Sequence, residues 1–179
     1  MKDEHPDQHV EVWFEDEARF GQQGTLTSVW APCGSRPVAI KQTEYKWLYL
    51  FAAVNAMTGE SCALLSPTVN TAVMHAHLAM ISRQVGPHRH VILVLDQAGW
   101  HVAKALQVPN NLTLLPLPPY SPELNPIERV WAYLRSHYLS NRVFADDDHL
   151  WQACRTAWNL LDEQRLRTLC HTPWLERKD

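Results

Sequence analysis

Three acidic residues in this chain stand where a folded sheet gathers side chains. Asp16 follows the apolar run VEVWF (10–14), Asp96 follows VILVL (91–95), and Glu128 lies in NPIERVW, three residues after Asn125. Carboxylates brought together without basic partners repel one another and raise each other's pKa, so the agent that neutralises them is a divalent cation. Oxygen ligands of this kind suit Mg²⁺ or Mn²⁺. Two such ions activate a water or hydroxyl and stabilise the leaving oxygen of a phosphodiester. The predicted chemistry is nucleotidyl transfer, with Asp16, Asp96 and Glu128 as the candidate ligands of the ions.

The elements that must position these acids can be read in turn. Val10–Phe14 mixes β-branched and aromatic residues and predicts a strand with Glu15, Asp16 and Glu17 at its end. Gly21 and Gly24 mark a turn, and residues 25–30 resume an extended pattern, as in a hairpin or flap. Residues 45–54, YKWLYLFAAV, suit a buried central strand, and residues 61–65 the next one. Val73, His77, Met80 and Ile81 recur at helical spacing within a helix over 71–85, which Gly86-Pro87 ends. The unbroken apolar run 91–95 is the pattern of a parallel strand covered on both faces. It delivers Asp96 to the carboxyl end, where open α/β sheets place their sites. A short helix over 100–106 and a strand over 112–115 follow.

Pro116, Pro118, Pro119 and Pro122 keep the next segment extended up to Asn125, an N-cap with Pro126 at the first helical position. Ile127, Val130, Trp131, Leu134 and Tyr138 form the buried stripe of the helix that begins there. Glu128 then has two readings. It closes a capping box onto the Asn125 backbone N–H, or it presents a carboxylate to a metal from a rigid helix start. Further on, Asp146-Asp147-Asp148 reads as a cap for a helix carrying Leu150, Ala153, Cys154, Ala157, Trp158 and Leu161, and Leu166 with Leu169 predicts one more short helix.

With 179 residues, 46% hydrophobic and 20% charged, the chain fits one globular domain and has no apolar run long enough to span a membrane. The polar amino terminus lacks the apolar core of a secretory signal, so a cytoplasmic location is expected. Cys33, Cys62, Cys154 and Cys170 form no CxxC pair and are expected as free thiols. The net charge of −3 is not that of a dedicated nucleic-acid binder. Serine-hydrolase, phosphate-loop and dinucleotide-binding motifs are absent.

Three blocks, FEDEARFG, LVLDQAGWH and LPPYSPELNPIERVW, together resemble the signature blocks of mariner-type transposases and their bacterial insertion-sequence relatives, members of the DDE superfamily of endonucleases. The resemblance implies an α/β, RNase H-like fold, a mixed five-stranded sheet with helices on both faces. It covers a core of about 10–139, with a helical extension over about 146–175, within a single catalytic domain. It places the family's catalytic triad on Asp16, Asp96 and Glu128, implies two Mg²⁺ or Mn²⁺ ions, and implies cut-and-paste DNA transposition into TA dinucleotides. The partners it implies are transposon ends and target DNA, bound by a homodimer or higher assembly. Gln97 stands where the family often has Asn, and the 31 residues between Asp96 and Glu128 imply a small deletion in the loop. Relatives carry an amino-terminal helix-turn-helix region, whereas here the catalytic block begins almost at Met1. The expectation is a chain that cuts DNA but relies on a separately encoded part to find it. The alternative is a catalytically silent relative that assembles with a full-length transposase.

Other residues admit two readings as well. His101 orients a ligand or is an ordinary core or surface histidine, and the HxH pairs His75/His77 and His88/His90 lack the third ligand that zinc needs. Strand alternation turns Glu15 and Glu17 away from Asp16, to a solvated or salt-bridged role. Arg19, Arg36, Lys41, Lys46, Arg129, Arg135 and Arg142 are candidates for phosphate contact, and Trp100 for base stacking. Trp13, Trp47, Trp131 and Trp158 belong to apolar patterns and predict core.

Overall fold

The computed structural model describes residues 8–21, 28, 30–36, 38, 46–101 and 103–175. Five strands, β1 (His9–Gly21), β2 (Trp47–Asn55), β3 (Ser61–Ser66), β4 (Arg89–Leu95) and β5 (Leu112–Pro116), form one sheet in the order β3-β2-β1-β4-β5. The pairs β1/β2 and β2/β3 are antiparallel; β1/β4 and β4/β5 are parallel. This is the mixed five-stranded sheet of an RNase H-like domain.

Helices cover both faces. On one, α1 (Thr71–Val85) buries Met74, His77, Leu78, Ile81 and Val85. Its ends follow local chemistry, with the Asn70 side chain accepting from the Val73 N–H and Gly86 closing the helix at φ 71°. On the other face lie α2 (Ile127–Leu134), which runs on into a wider π-type turn over Arg135–Leu139, then α3 (Asp147–Asn159) and α4 (Glu163–Leu169). Asp146 caps α3 by accepting from the His149 N–H, as the acidic run predicts.

β1 is the dividing strand, and its side chains alternate between two cores. Trp13 joins Phe51, Met74, Leu78 and Leu93 beneath α1, whereas Phe14 and Ala18 join Leu50, Val94, Val130 and Trp131 beneath α2–α4. The strand is longer than the sequence predicts. Its parallel partner β4 stops pairing at Phe14↔Val94, but β2 continues as antiparallel partner to Gly21↔Trp47. Glu15, Asp16 and Glu17 therefore lie in the middle of β1 rather than at its end. An acidic run does not break a strand whose two faces each offer polar partners.

A second expectation fails at residues 100–106, where the described residues form isolated turns and no helix. The Ala98 N–H is taken by the Asp96 side chain, and the remaining bonds, His101 N–H to Ala98 O and Leu106 N–H to Ala103 O, never propagate. His101 is buried here. The predicted extended segment 25–30 falls largely outside the described residues. All four cysteines are free thiols, and among the described residues no helix is long and apolar enough to cross a membrane.

Gly59, in the β2–β3 turn at φ 84°, lies against α4 so closely that an added Cβ would stand 1.9 Å from the Glu163 carbonyl oxygen. Gly86 has a similar φ but open space around it. Gly86→Ala is expected to show only backbone strain, about 1–3 kcal/mol. Gly59→Ala adds a backbone clash and is expected to lower the thermal midpoint clearly more; equal losses in paired melting curves would contradict this packing.

Candidate active site

Asp16 and Asp96 reach the same place through strand register. Phe14 and Val94 are partners in the β1/β4 ladder, and Asp16 and Asp96 each lie two residues beyond that pair. Because a two-residue step returns to the same face, both acids belong to the α2 side. Glu128 is supplied by α2. Together with Gln97, Asn125 and the turn 117–122, the three acids line a cleft of about 440 Å³.

The start of α2 is fixed to β1. The Asn125 amide donates to the Glu15 carbonyl oxygen at 2.9 Å, while its Oδ1 accepts from the Ile127 N–H at 3.3 Å. The Asn125 N–H goes to the Pro122 carbonyl, so the capping box predicted as one role for Glu128 does not form. Glu128 is exposed on the cleft, at the positive end of the helix.

Each aspartate is held by one oxygen. The Trp131 indole donates to Asp16 Oδ2 at 2.8 Å, which links the core of α2 to the cleft. His101 Nδ1 lies 2.7 Å from Asp96 Oδ1, and the Ala98 N–H donates to the same oxygen. Gln97, longer than the Asn of the resemblance, donates to the Leu117 carbonyl at 2.8 Å and braces the proline segment.

The described lining of this cleft contains no lysine or arginine. Burial, opposed by the Trp131 hydrogen bond and reinforced by Glu128, Glu15 and Asp96, pushes the Asp16 carboxyl up to about 8. Such a donor set, all oxygen and short of positive charge, fits a hard divalent cation.

Glu15 and Glu17 turn to the opposite face, as alternation predicts. Glu15 is fully buried rather than solvated, with Oε1 3.4 Å from His77 Nδ1 and Oε2 3.3 Å from His101 Nε2. His101 is the residue whose role the sequence leaves open, and it is buried and bridges the two faces. Trp100 donates to Glu17 Oε2 at 3.2 Å.

Most of the candidate phosphate-binding cations have other partners. Arg19 stacks on Trp47 at 4.1 Å, Arg135 on Phe20 at 5.4 Å, Arg129 donates to the His171 carbonyl, Arg142 to that of Tyr138, and Lys46 pairs with Asp147 at 3.1 Å. Arg36 is exposed, and Lys41 lies outside the described residues. Among the described residues the HxH pairs gather no metal-ligand set. A feature that the sequence does not single out is Tyr120, whose ring is fully exposed at the cleft on a backbone with φ 58°.

Residues 11–151 match the family model for the DDE superfamily endonuclease domain. An uncharacterized protein of Sinorhizobium fredii (strain NBRC 101917 / NGR234), y4pE/y4sA, is 49% identical over 118 residues, which cover 66% of this chain and 87% of that protein. The Mos1 mariner paired-end complex with Mn aligns at a TM-score of 0.68 and 19% identity, over 90% of this chain and 52% of that one. The catalytic domain of Mos1 mariner transposase aligns at 0.62 and 18%, over 90% of this chain and 76% of that one. This chain thus spans about half the length of the Mos1 chain in the paired-end complex.

The raised Asp16 group gives a stability test. A carboxyl at about 8 when folded, against an ordinary 3.8, keeps a proton that the unfolded chain has lost. Its contribution is complete below about pH 4 and disappears as pH rises through about 8. Glu17, raised to about 8 chiefly by burial and by Glu15, acts with the same sign. In cation-free buffer the thermal midpoint is expected to fall from about pH 5 to about pH 8.5, and less steeply in Asp16→Asn; identical slopes in the two proteins would contradict the assignment.

Proposed function

The chain belongs to the DDE superfamily endonucleases, and from that membership we propose that it is a transposase catalytic domain that cuts DNA at the ends of a mobile element and joins the freed end to target DNA. The core 10–139 and the extension 146–175 act in this reading as one catalytic unit, assembled on DNA as a dimer or larger complex. The observation that carries the proposal is the convergence of Asp16, Asp96 and Glu128, from three separate elements, on a cleft whose described lining has no cationic side chain.

Asp16, Asp96 and Glu128 are the residues that would hold Mg²⁺ or Mn²⁺. When bound, two such ions supply an activated water or hydroxyl and stabilise the leaving oxygen of the scissile phosphodiester. The chain's own part is positioning. Trp131 and His101 each fix one oxygen of an aspartate, which leaves the other free to ligate. Glu128 is kept available because Asn125, and not Glu128, satisfies the helix start. The proline-rich segment 117–122 forms a stiff wall against which a strand of DNA can be held in line.

Calorimetric Mn²⁺ titration followed by nicking of supercoiled plasmid tests this reading. Wild-type protein is expected to bind Mn²⁺ and nick. Asp16→Asn, Asp96→Asn and Glu128→Gln are each expected to lose nicking by more than about 100-fold, the upper range of losses seen when only outer-shell partners of a metal are changed. Retained nicking in purified, folded Asp96→Asn would sink the assignment. A folded wild type that neither binds nor nicks, even with element-end duplex present, would favour the silent-partner alternative.

A further inference from the structure

Behind the cleft, on the α1 face of β1, the structure contains a second group of potential ligands that the cutting chemistry does not use. Glu15, Glu17 and His101 each offer one donor atom, and the three atoms lie within 4.8 Å of one another. Glu15 Oε2 and His101 Nε2, which face each other there, are both buried without a hydrogen-bond partner. Leaving such groups unsatisfied in a protein interior is costly, so their convergence on one point calls for an occupant.

The spacing identifies the kind of occupant. His101 Nε2 lies 3.3 Å from Glu15 Oε2 and 3.5 Å from Glu17 Oε2. These separations are long for charge-assisted hydrogen bonds, which fall near 2.8 Å. They match the edge of a tetrahedron, roughly 3.3 Å, around an ion with bonds of about 2.0 Å to nitrogen and oxygen. The surroundings match as well. Histidines that ligate a metal through one nitrogen characteristically give the other N–H to a carboxylate, and His101 Nδ1 is 2.7 Å from Asp96 Oδ1. Glu15 Oε1 faces His77 Nδ1 at 3.4 Å, and the Trp100 indole donates to Glu17 Oε2. Glu17, with 15% of its side chain exposed, leaves a path for the ion and for a water as fourth ligand.

We propose that Glu15, Glu17 and His101 form a buried transition-metal site, suited to Zn²⁺, that is separate from the Mg²⁺/Mn²⁺ cleft and holds Asp96 in place through His101. Imidazole with two carboxylates is a borderline donor set that favours Zn²⁺ over Mg²⁺, whereas the cleft is all oxygen. An ion on Nε2 puts the imidazole proton on Nδ1, which then donates to Asp96 Oδ1. The link to Asp96 rests on the cleft reading above; the ion site itself does not.

The test is Zn²⁺ titration of the metal-stripped full chain by calorimetry in excess Mg²⁺, with X-ray absorption of the loaded protein. One tight site is expected in wild type, and also in Asp16→Asn and Glu128→Gln, with one imidazole among otherwise oxygen ligands. Glu17→Gln, at the least buried ligand, is expected to weaken binding at least tenfold. If a substituted ligand impairs folding, the imidazole count in wild type still decides. No tight Zn²⁺ in folded wild type, no imidazole at the bound ion, or binding lost in Asp16→Asn but kept in Glu17→Gln would overturn the proposal. Plasmid nicking in Mg²⁺ distinguishes the two readings, since its absence alongside an intact Zn²⁺ site would count against the cleft and not against this ion.

Discussion

The cleft depends on the point at which β1 and β4 stop pairing. Their parallel ladder ends at Phe14↔Val94, two buried side chains of the same core, and one step of strand periodicity further on the residues are Asp16 and Asp96. No flexible loop sets the relation between these acids. It is inherited from hydrogen bonds in the middle of the sheet, which are among the last places a domain opens. Glu128 is fixed to the same frame through Asn125, whose amide holds the β1 backbone at Glu15.

This arrangement puts three acids in succession through a layered core. Carboxylates out of water need partners, or they keep their protons. On the α2 face, among the described residues, Asp16 has the Trp131 indole and a row of like charges. On the α1 face Glu15 and Glu17 have His77, His101 and Trp100. For His77, burial works against the charged ring, but the Cys62 carbonyl and the nearby Glu15 carboxylate, 3.4 Å away, outweigh it and raise the imidazole to about 9. One face is thus left deficient in positive charge and the other is supplied with imidazoles. His101, bonded to Asp96, is where the two meet.

Most of the fold was legible because its signals are local. The apolar run 91–95, the Asn70 and Asp146 caps and Gly86 each follow from a few neighbouring residues, whereas α2 starts one residue later than predicted, with Pro126 rather than Asn125 at its N-cap. The acids facing one cleft were legible for the same reason, since each sits at an element boundary or on a strand whose period is known. Long-range relations were not legible. Nothing near residue 20 reveals that β2 stays alongside β1 after β4 has left, so the local sequence predicts a strand that ends near Asp16, five residues short of Gly21. Residues 100–106 have helical composition, but the described ones form turns, with His101 buried against Glu15 and Glu17 some 85 positions upstream. The indole of Trp131 was legible as core but not as a donor to Asp16, because the apolar stripe records which face is buried and not which polar atom it carries inward.

The alternation along β1 also limits how this domain can be altered. Adding or removing a single residue between Phe14 and Ala18 would send every later side chain to the opposite layer. A glutamate would then occupy the cleft, an aspartate would fall among the histidines, and Ala18 and Phe20 would lose their places beneath α2. Changes of length belong in the segment 103–110 and not in the β2–β3 turn, where Gly59 is pressed against α4. The five residues Phe14–Ala18 must keep their spacing, so this stretch is open to redesign by substitution and closed to it by insertion.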